Sequence, residues 1–457
     1  MRKYIFLLVI LFSAGSLVFS QTGNTRYIAV QSADLKSSTG FFARVVGRLS
    51  LGDSVTLISD DGRWSNVRSG NITGWMQSTN LSTRRIIASG SSSAGASEVA
   101  LAGKGFSPAT ELEYKKEGLN FTVVDSMERM LVSVDELQRF ITDGRLNSGD
   151  APAAASRTSN PFGSSTSSSS NPFGASSSSS SNPFGASSSS SSNTFGAVSA
   201  SSTSSADDEF TLVDTYYLGR AVAANILSTY RPYTQNQNML NYLNRICQTL
   251  VINSFGPPTY SGYFVMILDN NDPYAFATPG GHIFISRGLI QAITSEDILA
   301  ALIAHELSHI MLKHGVSLIS DMKLYNEMSA MADQAAGMAA GMAAAAGRNT
   351  AAIQQTLSFR DSISKMAETL MVSGYAQPQE FDADREAMSL LSKAGYDPRA
   401  LIDLLRILQR FPGGQRGGLL STHPSPADRI ANAERYAASY SSTNTRQSRV
   451  SRFTNRL

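Results

Sequence analysis

His305, Glu306, Leu307, Ser308 and His309 form a His-Glu-x-x-His run inside the stretch AALIAHELSHIMLKH at 300–314. In a helix, positions i and i+4 lie on one face, so both imidazoles can reach one ion. Zinc suits two imidazoles, and Glu306, one residue along, is placed to take a proton from water that zinc acidifies. The surroundings are those of a helix. Thr294-Ser295-Glu296-Asp297 supplies an N-cap and an acidic first turn, and no proline or glycine intrudes between 296 and 314. The bland alternative is a pair of ordinary core histidines, but that would bury polar groups in need of partners.

A catalytic zinc takes a third protein ligand and keeps a fourth position open. Gln379-Glu380-Phe381-Asp382-Ala383-Asp384-Arg385 offers carboxylates for the third. Glu380 and Asp384 are four apart and share a helical face. Glu380 can ligate, and Asp384 can hold a ligand imidazole by its other nitrogen. Asp382 and Glu386 compete, and periodicity alone does not exclude them. His423, just before Pro424, is placed to be a removable fourth ligand, to donate to an oxyanion, or simply to cap a loop. Arg429 reads as the partner of a carboxylate, in the site or in a structural salt bridge. His314 is five residues past His309, about 140° round a continuous helix, so it should not share the ion. A strand at His282-Ile283-Phe284-Ile285-Ser286 reads as a sheet edge. An extended peptide could pair with its backbone, which makes Gly281, His282, Ile283 and Phe284 substrate-binding candidates. The side chains of His282 and His314 read as structural.

Taken together, HELSH followed by EFDAD resembles the zinc peptidase family of the CAAX prenyl proteases and the heat-shock protease HtpX, in its soluble periplasmic branch. YAFATPGGHIFISRGLI at 274–290 is similar to that family's sheet edge before the metal helix, and STHPSPADRI at 421–430 to its C-terminal His-Pro segment. The resemblance covers roughly residues 208–440. It implies a gluzincin-type α+β domain with one zinc on His305, His309 and Glu380, Glu306 as base and Asp384 behind the ligands. Tyr274 stands where the family most often has asparagine. The family and an exported location together point to an endopeptidase acting on unfolded or misassembled envelope proteins. Two other readings stay open: a cell-wall-binding scaffold or chaperone with a latent zinc site, and a hydrolase of peptidoglycan crosslinks.

The elements that must position these residues occupy only part of the chain. With 457 residues and 42% hydrophobic content, it is long enough for two or three domains. A net charge of +2 gives no electrostatic case for nucleic acid. Residues 1–20 have the basic, apolar and small-residue parts of a cleaved export signal, which places the protein in the periplasm or cell envelope. Residues 24–83 alternate in short strands punctuated by Asp61-Gly62. The run GDSVTLISDDGRWSNVRSGNITGWMQ resembles a bacterial SH3-like domain, a small barrel, and implies cell-wall contact or another interaction role. Trp64 and Trp75 line a groove on that reading, or pack in the core.

Residues 84–150 form a small region with a strand end and an amphipathic helix. Residues 151–207 are serine-rich, with Asn-Pro-Phe-Gly recurring at Asn160, Asn171 and Asn182 and decaying at Asn193. Such a segment lacks the apolar surface to order itself and reads as a linker. The peptidase domain follows at 208–440, helical around one small sheet, and 441–457 reads as a basic solvated tail. The Ala/Met/Gly-rich run Met328–Gly347 reads as helices over the site, touching a membrane or a hydrophobic substrate; Asp333 and Gln334 argue against a membrane span. Cys247 is the only cysteine, which excludes an intrachain disulfide, and its apolar helical setting reads as core.

Overall fold

The computed structural model describes residues 24–85, 111, 114–115, 118–149, 211–254, 256, 258–321, 363–411, 423, 426–440 and 446–454. The expected export signal, the Asn-Pro-Phe-Gly repeats and the Met328–Gly347 run lie outside them. Among the described residues, no helix is long and apolar enough to cross a membrane.

The first element is an all-β sheet of seven strands: β1 (Thr25–Ile28), β2 (Ser32–Lys36), β3 (Val45–Ser50), β4 (Ser54–Asp60), β5 (Trp64–Ser69), β6 (Ile72–Gln77) and β7 (Leu81–Ser82). Their order is β3-β2-β6-β5-β4-β1-β7 and every pairing is antiparallel. Inward residues of alternating register, Ile28, Val30, Leu35, Val55, Val67 and Met76, form its core. The turn at Asp61-Gly62 forms as its composition requires. Gly62 sits at φ +87°, and Asp61 Oδ1 accepts from Trp64 N at 2.6 Å. Trp64 is buried and Trp75 half-buried, so the packing reading suits Trp64 best.

The remaining elements share one large core. Two helices from the region of unassigned role, α1 (Phe121–Glu128) and α2 (Val134–Gly144), belong to it through Phe121, Val124, Met127, Leu137, Phe140 and Ile141. The expected single helix is thus two, with a full capping box at Ser133 and Glu136 starting the second. After them come α3 (Leu212–Thr229) and α4 (Gln237–Asn253), the latter enclosing Cys247 completely. Arg220 of α3 is buried and ties α1 to the domain. It meets Glu111, Asp125 and Glu128 at 2.8, 2.5 and 2.7 Å, and Glu128 also meets His282 Nε2 at 2.8 Å. The seven-stranded sheet touches this core through Gln31 N to Tyr260 O at 3.0 Å and Arg63 Nη2 to Ile252 O at 3.2 Å.

The second sheet holds three strands: β8 (Phe264–Leu268), β9 (Ala275–Ala277) and β10 (His282–Ser286), all buried. Their order is β8-β10-β9. Strand β10 is therefore central, parallel to β8 and antiparallel to β9. This corrects the reading of His282–Ser286 as an edge. Both backbone edges of β10 are already hydrogen-bonded, so Gly281, His282, Ile283 and Phe284 cannot pair with a peptide by adding a strand. Among the described residues, the outer edge of β9 carries no paired strand.

A short α5 (Arg287–Ala292) leads into α6 (Glu296–Met311), the helix of the His-Glu-x-x-His run. It is capped at Ser295, whose side chain accepts from Ile298 N, and is buried along nearly its whole length. The helix stops earlier than the absence of Pro and Gly suggests. Lys313 adopts φ +57°, and a new helix, α7 (His314–Asp321), starts immediately after. Then follow α8 (Gln377–Ala394), α9 (Ala400–Leu408) and α10 (Pro426–Ala437). Helix α8 carries Pro378 in its first turn and is capped after Ala394 by Gly395 at φ +87°, the punctuation general to helix starts and stops.

The last described element corrects the solvated-tail expectation. Residues Arg446–Thr454 form a helix, α11, with Arg449 and Phe453 buried. Arg449 grips Asp297 with Nε and Nη2 at 2.5 and 2.8 Å, and Arg452 pairs with Glu296. The two acidic residues that open the metal helix are therefore buried and neutralised from the far end of the chain.

Candidate metal centre

Helix α6 presents His305 and His309 on one face, and α8 packs against it and presents Glu380. His305 Nε2 and His309 Nε2 are 3.1 Å apart, and each lies 3.5 Å from an oxygen of Glu380. His423 comes from the segment ahead of α10, with Nδ1 2.8 Å from Glu380 Oε1 and 3.3 Å from His305 Nε2. All four are buried, and one candidate ligand atom from each falls within 4.8 Å of the others. A tetrahedral zinc with ligands at about 2.0–2.1 Å has ligand–ligand edges of about 3.3 Å, close to these separations. Asp382 does not join the cluster. It pairs with Arg385 at 2.5 Å on a half-exposed face, and Glu386 pairs with Lys393.

The donor set fits a cation. The other nitrogen of His305, Nδ1, lies 3.0 Å from Asp384 Oδ1, an acceptor, so Nδ1 carries a proton and Nε2 faces the cluster. Inward-facing ring nitrogens and a carboxylate then crowd one buried space. Glu380 Oε2 and His423 Nε2 lack aligned hydrogen-bond partners, as do both oxygens of Glu306. The two oxygens of Glu306, buried with no donor aligned to either, suit a positive ion nearby. Burial raises the carboxyl of Glu306 above its usual range, and His423 Nε2 lies 3.6 Å from Glu306 Oε1. Burial likewise opposes the charge on Glu380, but His423 and Arg429 hold it well below the ordinary carboxylate range.

Residues 238–437 match the sequence pattern of Peptidase family M48. That stretch holds all four residues of the cluster. The chain is also 27% identical over 223 residues to the beta-barrel assembly-enhancing protease of Escherichia coli, covering 45% of this chain and 40% of that one. The protein of the same name from Yersinia pestis is 26% identical over 243 residues, covering 51% and 45%. The mitochondrial metalloendopeptidase OMA1 of Schizosaccharomyces pombe is 26% identical over 176 residues, covering 37% and 45%. The chain thus spans less than half the length of each of these relatives.

Within the matched segment, Arg429 is the group whose part the sequence left most open. It is buried on α10 and grips Asp384 with Nε at 2.8 Å and Nη2 at 2.6 Å, while Nη1 lies 2.8 Å from Glu380 Oε2. One guanidinium thus keeps two buried carboxylates ionised and aims one at His305. Burial opposes the charged form of His305 and so does Arg429, yet Asp384 and Glu380 outweigh them and raise its pKa to about 9. Tyr375, just before α8, stacks on His309 with ring centroids 4.0 Å apart and planes within 14°. Nothing in the spacing of the chain signals Tyr375. His314 lies outside the four-residue cluster, yet its Nδ1 is 2.9 Å from His309 Nδ1. Strand β9 runs beside the helix that carries His305 and His309, whereas the side chain of His282 meets Glu128.

Proposed function

We propose that this chain is a zinc-dependent endopeptidase of the cell envelope, acting on unfolded or misassembled envelope proteins. The observation that carries the reading is the unpartnered, buried carboxylate of Glu306 beside a buried three-histidine, one-carboxylate cluster. His305, His309 and Glu380 hold the ion, and Asp384 with Arg429 holds His305 and Glu380 in place. Zinc bound there supplies a Lewis acid that polarises a peptide carbonyl. Glu306 takes a proton from the attacking water and returns it to the leaving amine, a role its raised pKa suits. The scissile peptide pairs with the outer edge of β9, Ala275–Ala277, in place of β10. The relatives' name, beta-barrel assembly-enhancing protease, supports the substrate class.

A second reading rests on His423. A catalytic zinc site keeps one position open, and here His423 stands in the fourth place. On this reading the described arrangement is latent, and turnover requires His423 to withdraw, its Nε2 then serving the reacting carbonyl.

The test is zinc content and casein cleavage of the purified chain beside Glu306→Gln. One zinc in both, with cleavage reduced about 10²–10⁴-fold in the variant, is expected. Glu380→Ala should lose zinc sharply and Asp382→Ala should keep it. Absence of zinc from the unaltered chain sinks the proposal. Zinc with no cleavage in either favours the latent arrangement, which His423→Ala should then release.

A further inference from the structure

We infer that His314 is a positioning residue, which fixes the tautomer of His309 so that its Nε2 lone pair faces the metal. The inference rests on the zinc reading above and concerns a residue outside the cluster. Helix α6 ends at Met311, and Lys313 takes the left-handed conformation at φ +57°. A non-glycine residue adopts that conformation at a cost, and its effect here is to turn the chain back on itself. His314, the first residue of α7, is thereby returned against the helix it has just left. On a continuous helix it would point about 140° away from His309.

The contact is specific. His309 Nδ1 and His314 Nδ1 are 2.9 Å apart, both buried, with the rings steeply inclined at 68°. Two imidazole nitrogens at that distance share one proton, so one ring donates and the other accepts. The opposite nitrogen of His309, Nε2, lies 3.1 Å from His305 Nε2 and 3.5 Å from Glu380 Oε1. If His314 donated, His309 would carry its proton on Nε2, pointing into the cluster and unable to ligate. Only with His309 as donor and His314 as acceptor does Nε2 present a lone pair. Tyr375, stacked flat on His309, restrains the ring plane, and His314 sets which nitrogen is bare. The two ligand imidazoles are thus held differently: His305 by the carboxylate of Asp384, His309 by a neutral ring.

The test compares the full chain with His314→Leu and His314→Asn. Zinc affinity is read by competition with a chromophoric chelator, and urea unfolding of the metal-free proteins is read in parallel. The Asn side chain places an acceptor oxygen near the position of Nδ1; Leu offers none. Expected is a loss of about 10- to 100-fold in zinc affinity for His314→Leu, the usual size for an outer hydrogen-bond partner of a ligand. Recovery to within a few-fold in His314→Asn should accompany it. Equal affinity of the Leu variant and the unaltered chain overturns the inference while leaving the metal site standing. Equal losses in both variants also overturn it, because packing would then explain the effect. An unaltered chain that takes up no zinc overturns the metal reading itself.

Discussion

Replacing Arg449 with leucine should destabilise the protein by about 3 kcal/mol, although Arg449 lies more than a hundred residues from any metal ligand in α6. Arg449 is fully buried and grips Asp297 with two nitrogens at 2.5 and 2.8 Å. Removing one partner of a buried ion pair costs about 3–5 kcal/mol, because the other charge is stranded. Two features place the expected cost at the lower end. Asp297 keeps a long hydrogen bond from Asp397 N at 3.3 Å. It also sits in the first turn of α6, where the helix dipole stabilises an anion by about 0.3–1 kcal/mol. With a urea slope of about 3 kcal/mol per M, the unfolding midpoint should fall by about 1 M. Adding Asp297→Asn to Arg449→Leu should recover most of the loss, since no buried charge is then left alone. A midpoint shift below about 0.2 M for Arg449→Leu would refute the reasoning and return residues 446–454 to the solvent.

Other expectations follow from the same geometry. Gly219→Ala should prevent folding or leave the chain insoluble. A Cβ there would stand 1.4 Å from the Pro279 carbonyl oxygen, between backbone segments that cannot yield, at a cost above the roughly 1–3 kcal/mol of ordinary overpacking. Burial opposes ionisation of Glu128, but its bond to His282 and the nearby Arg220 outweigh it and hold its pKa below 4.5. A depressed carboxyl contributes stability that is complete above about pH 4.5 and lost as the pH falls below it. Acid titration of unfolding should show that loss in the parent and a shallower one in Glu128→Gln.

The candidate metal centre was legible where its logic is local. His305 and His309 share a face because a helix repeats every 3.6 residues, and Ser295 caps that helix through its own side chain. The turn at Asp61-Gly62 is equally local. What came from elsewhere in the chain was not legible. Whether His282–Ser286 lies at an edge or a centre depends on which strands pair with it, and β8 and β9 flank it on both sides. The basic residues near the C-terminus looked solvated because their carboxylate partners, Glu296 and Asp297, lie about 150 residues away.

The same division runs through the site. Glu380, Asp382 and Glu386 are all carboxylates on one helix, and only packing brings Glu380 to the histidines while Asp382 and Glu386 meet Arg385 and Lys393. Arg429 is a common cation until α10 places it between Asp384 and Glu380. His314 stays outside the cluster as expected, but Lys313 breaks the helix without Pro or Gly and returns its ring to His309. Periodicity and capping are properties of neighbouring residues, so the sequence by itself determined the metal helix and the candidate ligands. Pairing of distant charges, strand order and the choice among equivalent carboxylates depend on which surfaces meet, and those only the tertiary structure decided.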